Sequence, residues 1–174
     1  MDDAAHQINL LVLDVDGVLT DGKLAYGASG ESGKSFFVVD GGAIRLWQAA
    51  RGETAIISGR IQAAVEARAR DLGIKYVFQG VADKEPVYSS IVARLGIDDA
   101  NVAVVGDDMI DLPMMRRCGY PIAPGNAVPE AKRAARYVTR RSGGEGAVFE
   151  AIDRLMRHND RLTGEKQVES TFHG

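Results

Sequence analysis

Ile8–Leu13 reads INLLVL, an apolar run with almost no polar alternation. A strand exposed on one face alternates polar and apolar residues; a continuous run belongs to a strand covered on both faces. Thr54–Ile57, Lys75–Phe78 and Val102–Val105 repeat that character, and Tyr120–Ile122 and Tyr137–Thr139 are shorter versions. Between them, apolar residues recur at helical spacing: Ile61, Val65, Ala69 and Leu72; Val87, Ile91 and Leu95, with Pro86 tolerated in the first turn; Val148, Ile152, Leu155 and Met156. Alternating buried strands and amphipathic helices predict an α/β fold, a parallel sheet with helices on both faces. The 174 residues suit one domain, expected over 1–157, with a mobile tail over 158–174. Gly22–Val39 breaks the rhythm. Gly27, Gly30 and Gly33 lie between two β-prone pieces, KLAYG and KSFFVV, so a small hairpin insert is expected there and no large cap domain.

Open parallel sheets bind ligands at the carboxyl ends of their strands. The first run is followed by Asp14-Val15-Asp16-Gly17, the second by Ser58-Gly59-Arg60, the third by a short loop and Asp83-Lys84, and the fourth by Gly106-Asp107-Asp108, with Asp111 one turn on. All four sets fall on one edge of the sheet. Carboxylates crowded there repel one another unless a cation neutralises them, and an all-oxygen donor set suits Mg²⁺. A lysine and a serine beside that metal suit a phosphoryl group. One aspartate can then attack phosphorus, and a second, two residues on, can protonate the leaving oxygen and activate water.

Composition narrows the partners. Twenty-one basic against 24 acidic residues give a net charge of −3, which argues against nucleic acid as a partner. Cys118 stands alone, so there is no intrachain disulfide and no cysteine-rich zinc site. No apolar run reaches the length of a membrane span, and Met1–Asn9 is too polar for a signal peptide. A soluble, cytoplasmic protein without membrane partners is expected.

The order of these pieces resembles the haloacid dehalogenase superfamily of phosphohydrolases, with DVDGVLTDG as first motif, the serine of IISGR as second, Lys84 as third and GDDMID as fourth. Together with the Gly-rich hairpin, FQGVADK, YVT and GGEGAV, they look like the 3-deoxy-D-manno-octulosonate 8-phosphate phosphatase family over roughly residues 8–157. The resemblance implies a Rossmann-like phosphatase without a large cap, acting with Mg²⁺ on an eight-carbon sugar-acid phosphate. It implies a homotetramer whose hairpins close neighbouring sites, and a place in lipopolysaccharide biosynthesis. It assigns Asp14 as nucleophile and metal ligand, and Asp16 as acid/base and metal ligand through its carbonyl. Asp107 becomes the third protein ligand of the metal, and Ser58 and Lys84 the phosphate holders. Asp108 and Asp111 stand behind these, Asp111 orienting Lys84. Arg60 and Arg68 are candidate sugar-acid contacts. The chain departs from the family pattern at Phe37, Val39 and Glu145. The GGEG of Gly143–Gly146 resembles the nine-carbon sugar-acid phosphatases instead, whereas Arg60 does not.

Simpler readings compete. An EF-hand loop starting at Asp14 would need Gly sixth and Glu twelfth; here Gly17 is fourth and Ala25 twelfth. Ala28–Ser35 (ASGESGKS) fits a relaxed P-loop, but FFVV after it predicts a strand where that loop needs a helix. Ser58 could merely cap the following helix. A receiver-type domain storing phosphoaspartate shares the residue types, but its paired acids come first and its phosphorylated aspartate later. A non-catalytic regulatory domain has no need of Asp14, Asp16, Ser58, Lys84 and Asp107 together.

Overall fold

The computed structural model describes residues 6–164 apart from 29, 32 and 51. In chain order its elements begin with β1 (Leu10–Leu13), a hairpin of β2 (Tyr26–Gly27) and β3 (Gly30–Glu31), and α1 (Val38–Ala49). There follow β4 (Glu53–Ile57), α2 (Ala63–Asp71), β5 (Tyr76–Phe78), α3 (Lys84–Leu95) and β6 (Val102–Val105). The chain continues through α4 (Leu112–Arg117), β7 (Tyr120–Ala123), α5 (Pro129–Ala134), β8 (Tyr137–Val138) and α6 (Ala147–Thr163). Six strands pair in parallel in the order β5-β4-β1-β6-β7-β8. Successive side chains of a strand point to opposite faces. Leu11, Leu13, Ile56, Ala103 and Val105 therefore pack against α1, α2 and α6, while Leu10, Val12, Ala55, Ile57, Val102 and Val104 pack against α3, α4 and α5. Both faces are covered, as the continuous apolar runs require.

The expected insert is smaller than its sequence suggests, and its exit is not a strand. Phe36 packs against the core, Phe37 is the extended residue ahead of a helix, and Val38 opens α1. The β-preference of the FFVV run loses to tertiary packing. Asp40, Ala43, Ile44 and Trp47 recur at spacings of three and four and are all buried. Asp40 also ties this helix to the last one. Its Oδ1 accepts the Phe149 backbone N–H at 2.8 Å, in the first turn of α6. Ile61, expected to lead the stripe of α2, precedes the helix and is exposed. The tail expected from His158 is helical at its start. α6 runs to Thr163, and buried Asn159 exchanges two 2.8 Å hydrogen bonds with the backbone of Ile8. The remainder of that tail, 165–174, lies outside the described residues.

Candidate active site

β1 is followed on one side by β4 and β5 and on the other by β6, β7 and β8, so the strand order reverses between β1 and β6. That reversal opens a crevice at the carboxyl ends of the strands. Asp14 leaves β1 there, its N–H donating to the Val105 carbonyl at 3.1 Å, and Asp107 leaves β6 beside it. The loop between Asp14 and Asp21 is drawn onto the sheet by buried Val15, Val18 and Leu19. The Val15 carbonyl accepts the N–H groups of Val18, Leu19 and Thr20, and the Thr20 hydroxyl accepts that of Gly22 at 3.2 Å. Gly17 has φ +83°, and a Cβ there would run into the Asp107 carboxylate. Only glycine lets the two acidic loops approach this closely.

Beneath the crevice lies Lys84, the first residue of α3, with a side chain 0% exposed. Asp83 starts that helix by accepting the Glu85 N–H at 3.2 Å, which aims Lys84 inward. Its Nζ stands 2.7 Å from Asp14 Oδ1 and 2.7 Å from Asp111 Oδ1. Asp111 Oδ2 accepts the N–H groups of Asp107 (3.0 Å) and Asp108 (3.2 Å), so this carboxylate is fully engaged and orients Lys84. Asp108 caps the 3-10 turn over Met109–Asp111, accepting the Met109 N–H at 2.6 Å.

The electrostatics record the crowding. Burial, with repulsion from Asp111, lifts the Asp14 carboxyl to about 6 against the pull of Lys84. Burial, together with Asp14, Asp111 and Asp108, lifts Asp107 to about 8. Burial works to lower the Lys84 ammonium, but Asp14 and Asp111 outweigh it and the net shift is upward. Carboxylate oxygens of Asp14, Asp107 and Asp111 lie within 4.8 Å of one another, and Asp107 Oδ1 is buried without a hydrogen-bond partner. A buried, unpartnered carboxylate oxygen facing a second carboxylate fits a hard divalent cation.

A cleft of about 260 Å³ above this floor is lined by Asp14, Asp16, Ser58, Gly59, Arg60, Asp107 and Asp108, with Gly22 and Ile110 at its rim. Ser58 is fixed at both backbone ends. Its N–H donates to Phe78 (2.8 Å) and its carbonyl accepts from Val81 (3.0 Å), so its position does not depend on the next helix. Because α2 starts at Ala63 after Gln62, Ser58 is not that helix's cap. Arg68 does not line the cleft. Its guanidinium holds Asp71 at 3.0 Å and the Phe37 carbonyl at 3.4 Å and lies over the Phe36 ring, supporting the start of α1.

Three polar residues the sequence did not single out also belong here. Lys34 Nζ lies 2.5 Å from Asp16 Oδ1 and 3.3 Å from Glu31 Oε1, and Glu31 Oε2 lies 2.5 Å from Arg60 Nη2. Asn126 donates to the Gly17 carbonyl (2.9 Å) and accepts the Gly143 N–H (2.7 Å), which docks the GGEG loop on the first acidic loop. Glu31 and Lys34 both lie in ASGESGKS, the stretch whose fit to a relaxed P-loop fails for want of a following helix. Nothing local marks Asn126.

Asp14 and Asp16 after β1, Asp107 after β6 and a lysine bridging Asp14 to Asp111 mark a haloacid dehalogenase-like hydrolase, and a family model of that description matches residues 73–152. The 3-deoxy-D-manno-octulosonate 8-phosphate phosphatase KdsC of Escherichia coli (strain K12) is 44% identical over 158 residues, 91% of this chain and 84% of that protein. The Moraxella catarrhalis 3-deoxy-D-manno-octulosonate 8-phosphate phosphatase, solved with magnesium, phosphate and KDO, superposes with a TM-score of 0.86 at 34% identity, covering 92% of each chain. The cobalt-bound Haemophilus influenzae phosphatase gives a TM-score of 0.88 at 36% identity, covering 97% of this chain and 94% of that one. The chain belongs to the 3-deoxy-D-manno-octulosonate 8-phosphate phosphatase family.

Proposed function

We propose that this protein hydrolyses 3-deoxy-D-manno-octulosonate 8-phosphate to the free sugar acid and phosphate. The observation that carries this is Asp14, facing the cleft with Lys84 at 2.7 Å behind it and Asp107 beside it at the sheet's switch point. The Asp14 carboxylate and the Asp107 carboxylate would hold a divalent cation, magnesium in the Moraxella relative, with the Asp16 carbonyl as third protein ligand. When bound, the cation supplies positive charge that neutralises the phosphoryl oxygens and keeps the acids ionised.

The chain's own groups do the rest. Ser58 and Lys84 position the phosphoryl group over Asp14. An Asp14 oxygen attacks phosphorus, the bond from phosphorus to the sugar's C8 oxygen breaks, and Asp16 gives that oxygen its proton. Asp16, now ionised, takes a proton from water; the water oxygen attacks phosphorus, and the bond to Asp14 breaks. Phosphate leaves and both carboxyls return to their starting states.

The hairpin face supports a homotetramer. Leu24, Tyr26, Val38 and Val39 are exposed apolar residues there, Tyr26 at 68%, and Ile61, Met109 and Ile110 are exposed near the cleft. The apolar pair Phe36-Phe37 does not supply this face, since both are at least half-buried. A neighbour's hairpin set against the cleft mouth covers both patches. Light scattering that finds an active monomer excludes the tetramer. A cytoplasmic location accords with Cys118 as a buried free thiol, and among the described residues no helix is long and apolar enough to cross a membrane.

The deciding experiment is phosphate release with Mg²⁺ from three esters: the eight-carbon acid 8-phosphate, a nine-carbon sialic-type acid 9-phosphate and mannose 6-phosphate. The first is expected to give the highest kcat/KM. A preference for the second assigns the nine-carbon acid instead.

A further inference from the structure

α6 begins without a cap of its own. It follows Gly146, which has no side chain, and the first N–H groups of a helix find no acceptor within it. The acceptor comes from another helix. Asp40, in the first turn of α1 and 1% exposed, takes the Phe149 N–H on Oδ1 at 2.8 Å, and the Gly146 N–H points toward the same carboxylate. Just before Gly146, the chain lies backbone on backbone against the loop that carries Asp16. A Cβ on Gly143 would collide with the Gly17 carbonyl, and one on Gly144 with the Asp21 backbone nitrogen. Gly144 also donates its N–H to the Val18 carbonyl at 3.3 Å. Contact this close leaves no slack, so a shift of the GGEG loop passes directly to the loop of Asp16.

We propose that Asp40 is a positioning residue of the reaction: by capping α6 from α1 it fixes the GGEG loop on the Asp14–Asp21 loop, and so sets where Asp16 meets the leaving oxygen. The inference rests on the phosphatase reading above and on the acid/base part that reading gives Asp16. Aspartate is a costly cap in this place. Its Oδ2 is buried without a hydrogen-bond partner, and Arg141 and Arg68, which face it, pull its carboxyl down less than burial lifts it, to about 6. An unfolded aspartate titrates at about 4. The folded state therefore disfavours the ionised form, and at about pH 7.5 an asparagine there would spare that cost. An amide oxygen can accept the Phe149 N–H as well, so helix formation alone does not call for the charge. What the charge adds is a firmer hold. A carboxylate bonds an N–H more strongly than an amide does, and it meets the positive end of a 17-residue helix. A group that lowers stability while it holds backbone beside the reacting atoms marks a conflict between stability and activity.

Asp40→Asn keeps the shape of the cap and removes its charge. Urea unfolding at about pH 7.5 is expected to place it level with the wild type or above it. With Mg²⁺, kcat for 3-deoxy-D-manno-octulosonate 8-phosphate is expected to fall about fivefold, with KM within about twofold. For p-nitrophenyl phosphate, whose nitrophenolate leaves without a proton, kcat/KM is expected to stay within about twofold of wild type. Hydrogen exchange in the segment 143–149 is expected to quicken. A variant as active as the wild type on the sugar ester, parallel losses on both esters, a loss confined to KM, or unchanged exchange in that segment overturns the positioning role and leaves the phosphatase reading standing. So does lower stability with activity lost in proportion. A wild type inert on the sugar-acid ester removes the reading itself, and the positioning role with it.

Discussion

Lys84 and Lys34 each hold two carboxylates, yet they sit in opposite surroundings. Lys84 grows from a helix start beneath the sheet's edge and binds Asp14 and Asp111 at 2.7 Å with no exposed side-chain surface. Lys34 grows from the hairpin exit, binds Asp16 and Glu31, and is linked through Glu31 to a solvent-facing arginine. In the floor, water cannot replace a lost partner, so breaking the pair leaves a charge stranded in a poor dielectric. In the roof, water can reach only the two ends of the chain of charges, Asp16 at 23% and Arg60 at 42% exposed. The same residue types therefore give a closed platform for chemistry below and a chain of charges open at its ends above.

The strongest break in the comparison is Asp14→Asn. An amide cannot form the phosphoryl bond, so phosphate release should fall at least about a thousandfold, with circular dichroism unchanged. Residual turnover above a tenth of wild type would mean that Asp14 is not the nucleophile. Next is Lys84→Met, measured by urea unfolding in chelator, which should lose about 3 kcal/mol as Asp14 and Asp111 are left unpaired. Lys34→Met should lose clearly less; equal losses would erase the distinction between floor and roof.

A pH series sharpens it further. Asp14 at about 6 and Asp107 at about 8 keep protons in the folded state that the unfolded chain, titrating near 4, has already released. Folded protein then binds more protons than unfolded, so stability falls as pH rises from about 5 to 8 in chelator. Magnesium at about a hundred times its Kd should add about 2.7 kcal/mol and flatten most of that slope. Asp40, raised to about 6 by burial, lies between α1 and α6, away from the acidic cluster. Its part of the slope, below about pH 6, should survive magnesium and vanish in Asp40→Asn. The smallest effect on stability is that of Arg157→Gln, whose exposed pair with Asp153 should move the midpoint by less than about 0.5 kcal/mol.

Floor and roof also differ in how far the sequence discloses them. Asp14, Ser58 and Asp107 follow closely on buried apolar strands and Lys84 follows the half-buried β5 after a short loop, so strand ends and the switch-point rule place them on one edge. The six sheet strands are legible for the same reason. Lys34, Glu31 and Asn126 sit in segments with no periodicity, and their partners are set by how loops cross in space. The FFVV run misleads because β-branched residues favour strands only where a sheet edge is available. Asp40, Ala43, Ile44 and Trp47, at helical spacing directly after it, carried the competing signal.

Asn126 joins Gly17 to Gly143, and its bond to Gly17 alone reaches back 109 positions. Asp14, the proposed nucleophile, is made long before the backbone that braces its loop. Ribosomes extend chains at about 5–20 residues per second, so Asp14 waits roughly ten seconds for Gly143. For most of that interval the acidic loop has neither Asp107 beside it nor Asn126 behind it. A phosphatase wired in this way stays silent while it is being synthesised, and a truncated product of interrupted translation carries Asp14 without the groups that surround it.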